Sequence, residues 1–376
     1  SLWDCSFTHR DVVDMVPGKD ITRELTNACE EVGLKHGFYF SVEDYEYPVI
    51  DEDGNLKLRL WSTNIAPDNA GIVEKAGDKY IDFDPGFHNR IVSGKVPVKN
   101  FINDYLLPQG KEFIDQYDPD ILWFDGEWHR PAKYYKTPEL VAYFYNRAEG
   151  RKKVVANDRM GIETREHHGD FYTSETDEVV EPTDYPWEEN RSMSESYGYH
   201  RKDSLSNYLT ANELIEMFVR IVAKGGNLNL IVNPDGTGRI PDIQKKLLKE
   251  LGAWLDVNGE AIYSTRTYQV VCDNTQLGQP VWYTRSKDGK YGYAICFEWP
   301  RGKTFICTGA NPLWDTEVYM LGYEEPIEWV ETPQWGMVSK IPDEMLHNPH
   351  KRPCKHAWVF KFEWDKNHEY GVRRFE

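Results

Sequence analysis

Pro119-Asp120-Ile121-Leu122-Trp123-Phe124-Asp125-Gly126-Glu127-Trp128 decides the reading of this chain. An apolar run ends in a carboxylate, and a glycine follows at once. Helix-like stretches lie on both sides. A buried parallel strand delivers one Asp to the C-terminal mouth of an α/β barrel in this way, and barrels of this kind keep their chemistry there. Trp123 and Trp128 flank the Asp, and flat aromatic faces suit the apolar faces of sugar rings. Asp125 is therefore a candidate carboxylate nucleophile for sugar cleavage. The alternative is an Asp that caps the next helix.

The pattern continues on both sides of that strand. Asp20 reads as an N-cap, followed by Ile21, Leu25, Cys29 and Val32 at helical spacing, with Gly33 as the stop. Leu34 to Ser41 reads as a strand. Residues 99–117 read as a helix with a kink at Pro108. Thr137-Pro138-Glu139 predicts a helix with Thr as its cap and Pro at the first helical position. Thr210-Ala211-Asn212-Glu213 is a capping box; its helix ends at Gly225-Gly226, and another runs from Asp242 to Val257. Strands are expected near 36–41, 119–125, 153–157, 170–175, 187–193 and 227–233. That is an α/β, (β/α)8-like TIM barrel pattern with about six strands, where a closed barrel has eight. The N-terminal strands are expected to be missing from this chain or supplied from elsewhere.

After residue 262 the character changes. Short alternating or aromatic runs at 268–271, 281–284, 292–297, 304–307, 318–321 and 357–362 predict a C-terminal β-sandwich. Residues 335–353 read as a long surface loop. The expected division is a barrel domain over 1–262 and a sandwich over 263–376.

Composition narrows the function classes. The chain has 376 residues, 40% of them hydrophobic, and a formal net charge of −18. No Lys/Arg-rich block appears, so no nucleic-acid partner is expected. No apolar run is long enough to span a membrane. The six cysteines form neither a CxxC pair nor a zinc-type cluster and read as buried free thiols. Asp51-Glu52-Asp53-Gly54-Asn55 begins like a calcium loop, but Trp61-Ser62 stands where its closing Glu would be, so a solvated acidic loop is expected. Asn190-Arg191-Ser192 is a glycosylation sequon that matters only in a secretory chain. Strand ends carrying Asp125, Arg159, Glu175 and Glu188 would converge at one barrel mouth, and two carboxylates with an Arg there point to glycoside cleavage.

These residues resemble the α-L-fucosidases of glycoside hydrolase family 29. The stretch from Tyr117 to Trp128 is similar to that family's nucleophile strand. Pro17-Gly18-Lys19-Asp20 and Gly33 to Ser41 resemble the helix and strand before it. Val155-Ala156-Asn157-Asp158-Arg159 and His167-His168-Gly169-Asp170-Phe171-Tyr172 resemble the segments after it. Trp187-Glu188, Tyr197-Gly198-Tyr199, Gly225 to Leu230 and Asn258 to Tyr263 complete the series, to about residue 265. The resemblance implies a retaining exo-α-L-fucosidase acting on fucosylated oligosaccharides or polysaccharides through a covalent glycosyl-enzyme. It implies no metal and no cofactor, allows a homo-oligomer, and favours a secreted, periplasmic or lysosomal setting. Asp125 matches the nucleophile, Trp123 an aromatic that packs on the sugar, and Arg159 an Arg that contacts fucose. Glu175 is favoured as acid/base over Glu188, and Trp128 is the second flanking aromatic. Tyr39, or Phe40 in the other register, matches a pocket Tyr. The family's fucose-binding histidines precede the segment resembling Leu2-Trp3-Asp4, so they are expected outside this chain. A silent fucose-binding relative, or a retaining glycosidase for another sugar, are the alternatives. Loops around 44–75 and 160–200 would set linkage and aglycone preference.

Overall fold

The apolar run is the strand Ile121–Asp125. It lies at the centre of a parallel sheet, between Gly37–Ser41 and Val155–Ala156. A further parallel bridge from Asn157 to Phe171 leads into the strand Tyr172–Glu175. The computed structural model describes the chain except for residues 16–17, 45, 61–78, 176–181, 184, 275–279 and 368–376. Parts of the loops expected to govern specificity thus lie outside the described residues. Two units form, Ser1–Thr173 and Ser174–Glu376.

In the first unit, Leu122 and Phe124 on one face of this strand and Trp123 on the other are all buried, as a central parallel strand requires. The helix Leu107–Tyr117 lays Phe113, Ile114 and Tyr117 into the same core. Phe113 meets Phe38 edge-on at 5.2 Å and Trp3 at 4.9 Å. Such aromatic pairs add about 1 kcal/mol each beyond the area they bury. The kink expected at Pro108 takes the form of a π-helical turn, Ile102–Leu106, which runs directly into the α-helix. The helix is continuous through this point: Leu107 donates to the Ile102 carbonyl five residues back, and the wider turn takes up the missing N–H and the ring of Pro108.

Asp20 caps the helix Ile21–Glu31 as expected, its carboxylate accepting from the Arg23 amide at 2.9 Å. Thr137 does not cap the next predicted helix. It is the first residue of Thr137–Ala148, and Lys136 takes the cap position in a left-handed conformation. The Thr137 hydroxyl instead donates to the Met160 carbonyl at 2.6 Å, which ties the helix to the segment carrying Arg159.

A three-stranded antiparallel sheet, Glu46–Ile50, Leu56–Leu60 and Lys79–Asp82, was not expected. The acidic segment 51–55 is its first turn: Asp51 Oδ1 accepts from the amides of Asp53 and Asn55 at 3.1 and 2.8 Å. Trp61 and Ser62 lie outside the described residues.

In the second unit, Trp187–Ser192 and Asn227–Ile231 pair in parallel. The helix Ala211–Ala223 leads into the second of these strands, and its capping box is closed in both directions between Thr210 and Glu213. Gly226 has no room for a side chain, because a Cβ would stand 2.4 Å from the Trp187 ring. The sequon at Asn190 is part of the paired strand: Asn190 Oδ1 is buried and Ser192 accepts from Asn233 at 3.1 Å. It therefore lacks the exposed-loop setting of a glycan acceptor.

The helix Asp242–Asn258 precedes the C-terminal β-sandwich. One sheet has six antiparallel strands, in the order Thr265–Asn274, Pro280–Ser286, Tyr291–Cys296, Trp358–Glu363, Val318–Met320, Pro326–Ile327. The other has three: Thr304–Cys307, Gly336–Lys340 and Trp329–Thr332. Residues 335–353 are therefore no simple surface loop. Met337, Ser339 and Ile341 alternate inward from the strand Gly336–Lys340, and the short helix Asp343–Leu346 buries Met345.

Candidate active site

Asp125 ends its strand opposite Ser41, and its own carbonyl accepts from the Val42 amide at 2.9 Å. The side chain is thus carried by backbone that is hydrogen-bonded up to its last residue. Gly126 follows with φ +93°, a conformation that L side chains rarely adopt, and turns the chain away from the strand. The next helix, Ala132–Tyr135, starts at Pro131, so Asp125 caps nothing.

Asn157 fixes the strand from the other side. The parallel ladder to Val155–Ala156 stops at Leu122–Ala156. Beyond it, the buried Asn157 amide continues the ladder. Its Oδ1 accepts from the Phe124 N–H at 2.8 Å, and its Nδ2 donates to the Phe124 carbonyl at 2.9 Å. Asn157→Ala leaves both buried groups of Phe124 without these partners, at about 1–3 kcal/mol each. A loss of about 2–6 kcal/mol is expected from urea unfolding, and an unchanged midpoint would refute the role.

The Asp125 carboxylate is held at both oxygens. Arg159 Nη1 donates to Oδ1 at 3.0 Å, and the Tyr39 hydroxyl donates to Oδ2 at 2.6 Å. Arg159 is itself buried and tied down. Its Nε donates to Thr173 Oγ1 at 2.8 Å, and that hydroxyl donates to Asp158 Oδ1 at 2.7 Å. Its guanidinium carbon lies over the Trp123 ring, 4.8 Å from the centroid. Tyr39 stacks on the same ring at 5.7 Å and 20°. Asp125, Arg159, Tyr39 and Trp123 therefore form one cluster. Tyr39 is 60% exposed and Phe40 4%, so the strand register gives Tyr39 the carboxylate and Phe40 the core. Trp123 is 8% exposed, whereas Trp128 is 43% exposed.

Glu127, two residues beyond Asp125, has no role that the sequence pattern alone assigns. It is 1% exposed and takes the Arg165 guanidinium at 3.3 Å. Burial pushes its carboxyl up, opposed by the field of Arg159 and reinforced by that of Asp125. Arg165 also donates to the Thr173 carbonyl at 3.1 Å. Asp158, Arg165 and Glu127 thus place ionisable groups around the Arg159–Asp125 pair, and Thr173 links Arg159, Asp158 and Arg165 through its hydroxyl and carbonyl. Their signal in the sequence was only a dense run of ionisable residues after two strand ends.

Both acid/base candidates stand in the second unit. Glu175 is the last residue of Tyr172–Glu175 and is half-buried. Glu188, on Trp187–Ser192, accepts from the Asn229 side chain of the neighbouring strand at 3.2 Å. Among the described residues no group of three or more His, Cys, Asp or Glu could hold a metal ion. No described helix is long and apolar enough to cross a membrane.

A family model described as alpha-L-fucosidase matches residues 1–260, and one described as alpha-L-fucosidase C-terminal domain matches residues 273–363. The chain is 31% identical over 364 residues to a plasma alpha-L-fucosidase of Pongo abelii, covering 96% of this chain and 69% of that protein. It is 28% identical over 354 residues to an alpha-L-fucosidase of Branchiostoma floridae, covering 93% and 69%. Among solved structures, the Thermotoga maritima alpha-fucosidase in complex with a mechanism-based inhibitor superposes with a TM-score of 0.69 at 26% identity, covering 96% of this chain and 72% of that one.

Proposed function

Because this chain belongs to the α-L-fucosidase family of glycoside hydrolases, whose substrates are fucosylated glycans, we propose that it is a retaining exo-α-L-fucosidase with Asp125 as its nucleophile. The observation that carries this reading is the Asp125 carboxylate at a strand's C-terminal end, one oxygen bound by Arg159 and the other by Tyr39. Such a carboxylate is oriented before any substrate arrives, which lowers the entropic part of the barrier.

In the proposed reaction Asp125 attacks the anomeric carbon of fucose as the glycosidic C–O bond breaks. Glu175 gives its proton to the departing oxygen. Water then attacks the same carbon, Glu175 takes the water's proton, and the ester bond to Asp125 breaks. Two inversions leave the configuration retained. Glu188 is the rival for the proton-transfer role. Arg159 and Tyr39 orient the nucleophile, and Trp123 and Trp128 supply aromatic surface for the sugar. Residues 1–262 would be the catalytic part and 263–376 the sandwich part.

The test follows an aryl α-L-fucoside by proton NMR, beside a panel of other aryl glycosides. α-Fucose should be the first product, with little release from the other sugars. β-Fucose as first product would exclude retention. Fucose binding without release would leave a carbohydrate-binding protein.

Arg159 gives a second check. Arg159→Ala removes a donor to Asp125, the link to Thr173 and the cation over Trp123. It is expected to lower kcat/KM by about 100-fold or more, since oriented charge near the reacting centre commonly carries that much. Arg159→Lys should not restore the rate, because an ammonium lacks the rigid fork that reaches two acceptors at once. A kcat/KM for Arg159→Ala within threefold of wild type would remove Arg159 from the site.

A further inference from the structure

Two thiols in the sandwich core take no part in the chemistry above. Cys296 is the last residue of the strand Tyr291–Cys296, in the six-stranded sheet. Cys307 is the last residue of Thr304–Cys307, in the three-stranded sheet. Their Sγ atoms are 3.7 Å apart, and the residues are 4% and 0% exposed within one core cluster. The pair thus spans the two layers of the sandwich. Going from this contact to a bond of about 2.05 Å needs a side-chain movement of under about 2 Å. The other thiols with described partners face elsewhere. Cys5 accepts from the Gln109 amide, Cys272 donates to the Asp273 carbonyl, and Cys354 donates to the Ala357 carbonyl.

We propose that Cys296 and Cys307 form a disulfide that ties the two sheets of the sandwich together when the chain folds in an oxidising compartment. The oxidant is a disulfide, either oxidised glutathione or the active-site disulfide of a thiol oxidoreductase. One cysteine thiolate attacks a sulfur of that disulfide, giving a mixed disulfide and releasing one thiolate. The second cysteine thiolate attacks the protein sulfur of the mixed disulfide and expels the other thiolate. Two cysteine S–H bonds are lost and one S–S bond forms. The oxidant is reduced by two electrons, and the two protons pass to the released thiolates or to solvent.

Timing follows from burial. In the folded chain Cys307 is enclosed, and its thiol is held well up by the hydrogen bond with Cys296 and by desolvation. Thiolates are the attacking species, and an oxidant in solution does not reach this core. The bond therefore forms while the two strands are still coming together. Folded, reduced protein should be inert to the same oxidant.

The full chain is refolded from denaturant in two ways, with mixed reduced and oxidised glutathione and with dithiothreitol. Free thiols are then alkylated under denaturing conditions and counted by intact mass. Digestion without reductant maps any linked peptide. The oxidised preparation should carry four alkylated thiols of the six and be two hydrogens lighter before alkylation. Its linked peptide should join 296 to 307. Its thermal midpoint should lie about 5 °C above that of the reduced preparation, the scale for closing a short loop in a unit of this size. The double variant Cys296→Ala/Cys307→Ala should have four thiols under both conditions and a midpoint insensitive to reductant. Should refolding fail, secretion into a bacterial periplasm gives the same thiol count and peptide map. Six alkylated thiols after oxidative folding, or a linked peptide joining other cysteines, would overturn the proposal.

Discussion

Asp125→Ala is expected to lower turnover of an aryl α-L-fucoside by about four orders of magnitude or more, with the protein still folded. The size follows from the role. A covalent nucleophile supplies a path that water does not replace, and 10⁴-fold corresponds to about 5.5 kcal/mol of barrier. The fold should survive, because the strand is held by its backbone. The ladder to Gly37–Ser41, the Val42 amide on the Asp125 carbonyl and the Asn157 clamp on Phe124 use no atom of the Asp125 side chain. The variant does leave Arg159 without this carboxylate, although Thr173 and Trp123 still hold it. Asp125→Asn is the closer control, since its carbonyl oxygen can accept from Arg159 while its NH₂ turns to the Tyr39 oxygen. Azide added to Asp125→Ala should enter where the carboxylate stood and give fucosyl azide of inverted, β configuration. Near-wild-type turnover in a folded variant would sink the assignment. A variant that is inactive and unfolded would move the question to Asp125→Asn, read by its loss of turnover in a folded protein, since the Asn side chain fills the space azide would need.

The strand that carries Asp125 was legible because its signals are local. An apolar run of strand length, a carboxylate and a glycine fix where the strand ends, and the glycine's φ of +93° is the kind of demand that sequence can announce. The helix starts at Asp20 and Thr210 were legible for the same reason, as a cap is decided within four residues. The hairpin Glu46–Ile50 with Leu56–Leu60 was missed because Pro48 argues against a strand, and because the pairing that outweighs it is a tertiary choice. The strand Gly336–Lys340 hid among Pro and Lys residues, and its buried face includes a serine. At the site, Asp125 and Arg159 stood out as charged residues at strand ends. Position along the chain lets Arg159 pair with Asp125 or with its neighbour Asp158, and does not decide between them. The geometry gives Arg159 to Asp125 directly and to Asp158 through the Thr173 hydroxyl. Asn157 as a substitute rung, and Glu127 as a buried carboxyl group beside Arg165, were not legible. Each depends on what packs around the side chain rather than on its neighbours in the chain.

Glu175→Ala should separate proton transfer from nucleophilic attack. General acid–base catalysis carries about 10²–10⁴-fold, so a natural fucosyl glycan, whose leaving alkoxide needs a proton, should lose rate on that scale. A dinitrophenyl fucoside, whose leaving group departs without protonation, should lose far less in its first step. Its glycosyl-enzyme would then accumulate, because water attacks slowly without a base. Azide needs no base. It should therefore speed breakdown of that intermediate and give fucosyl azide of retained, α configuration, the opposite of the product from Asp125→Ala. The two variants can thus be told apart by one anomeric signal, whatever their absolute rates. Glu188→Ala should show no such contrast between leaving groups. Its carboxylate takes the Asn229 amide of the neighbouring strand at 3.2 Å, an interaction that stitches two parallel strands together, so its loss should appear first in the unfolding midpoint. If instead Glu188→Ala gives the leaving-group contrast and the α-azide while Glu175→Ala does neither, the acid/base role passes to Glu188. If neither variant does, the proton comes from a residue outside this pair, and the retaining scheme would stand on Asp125 alone.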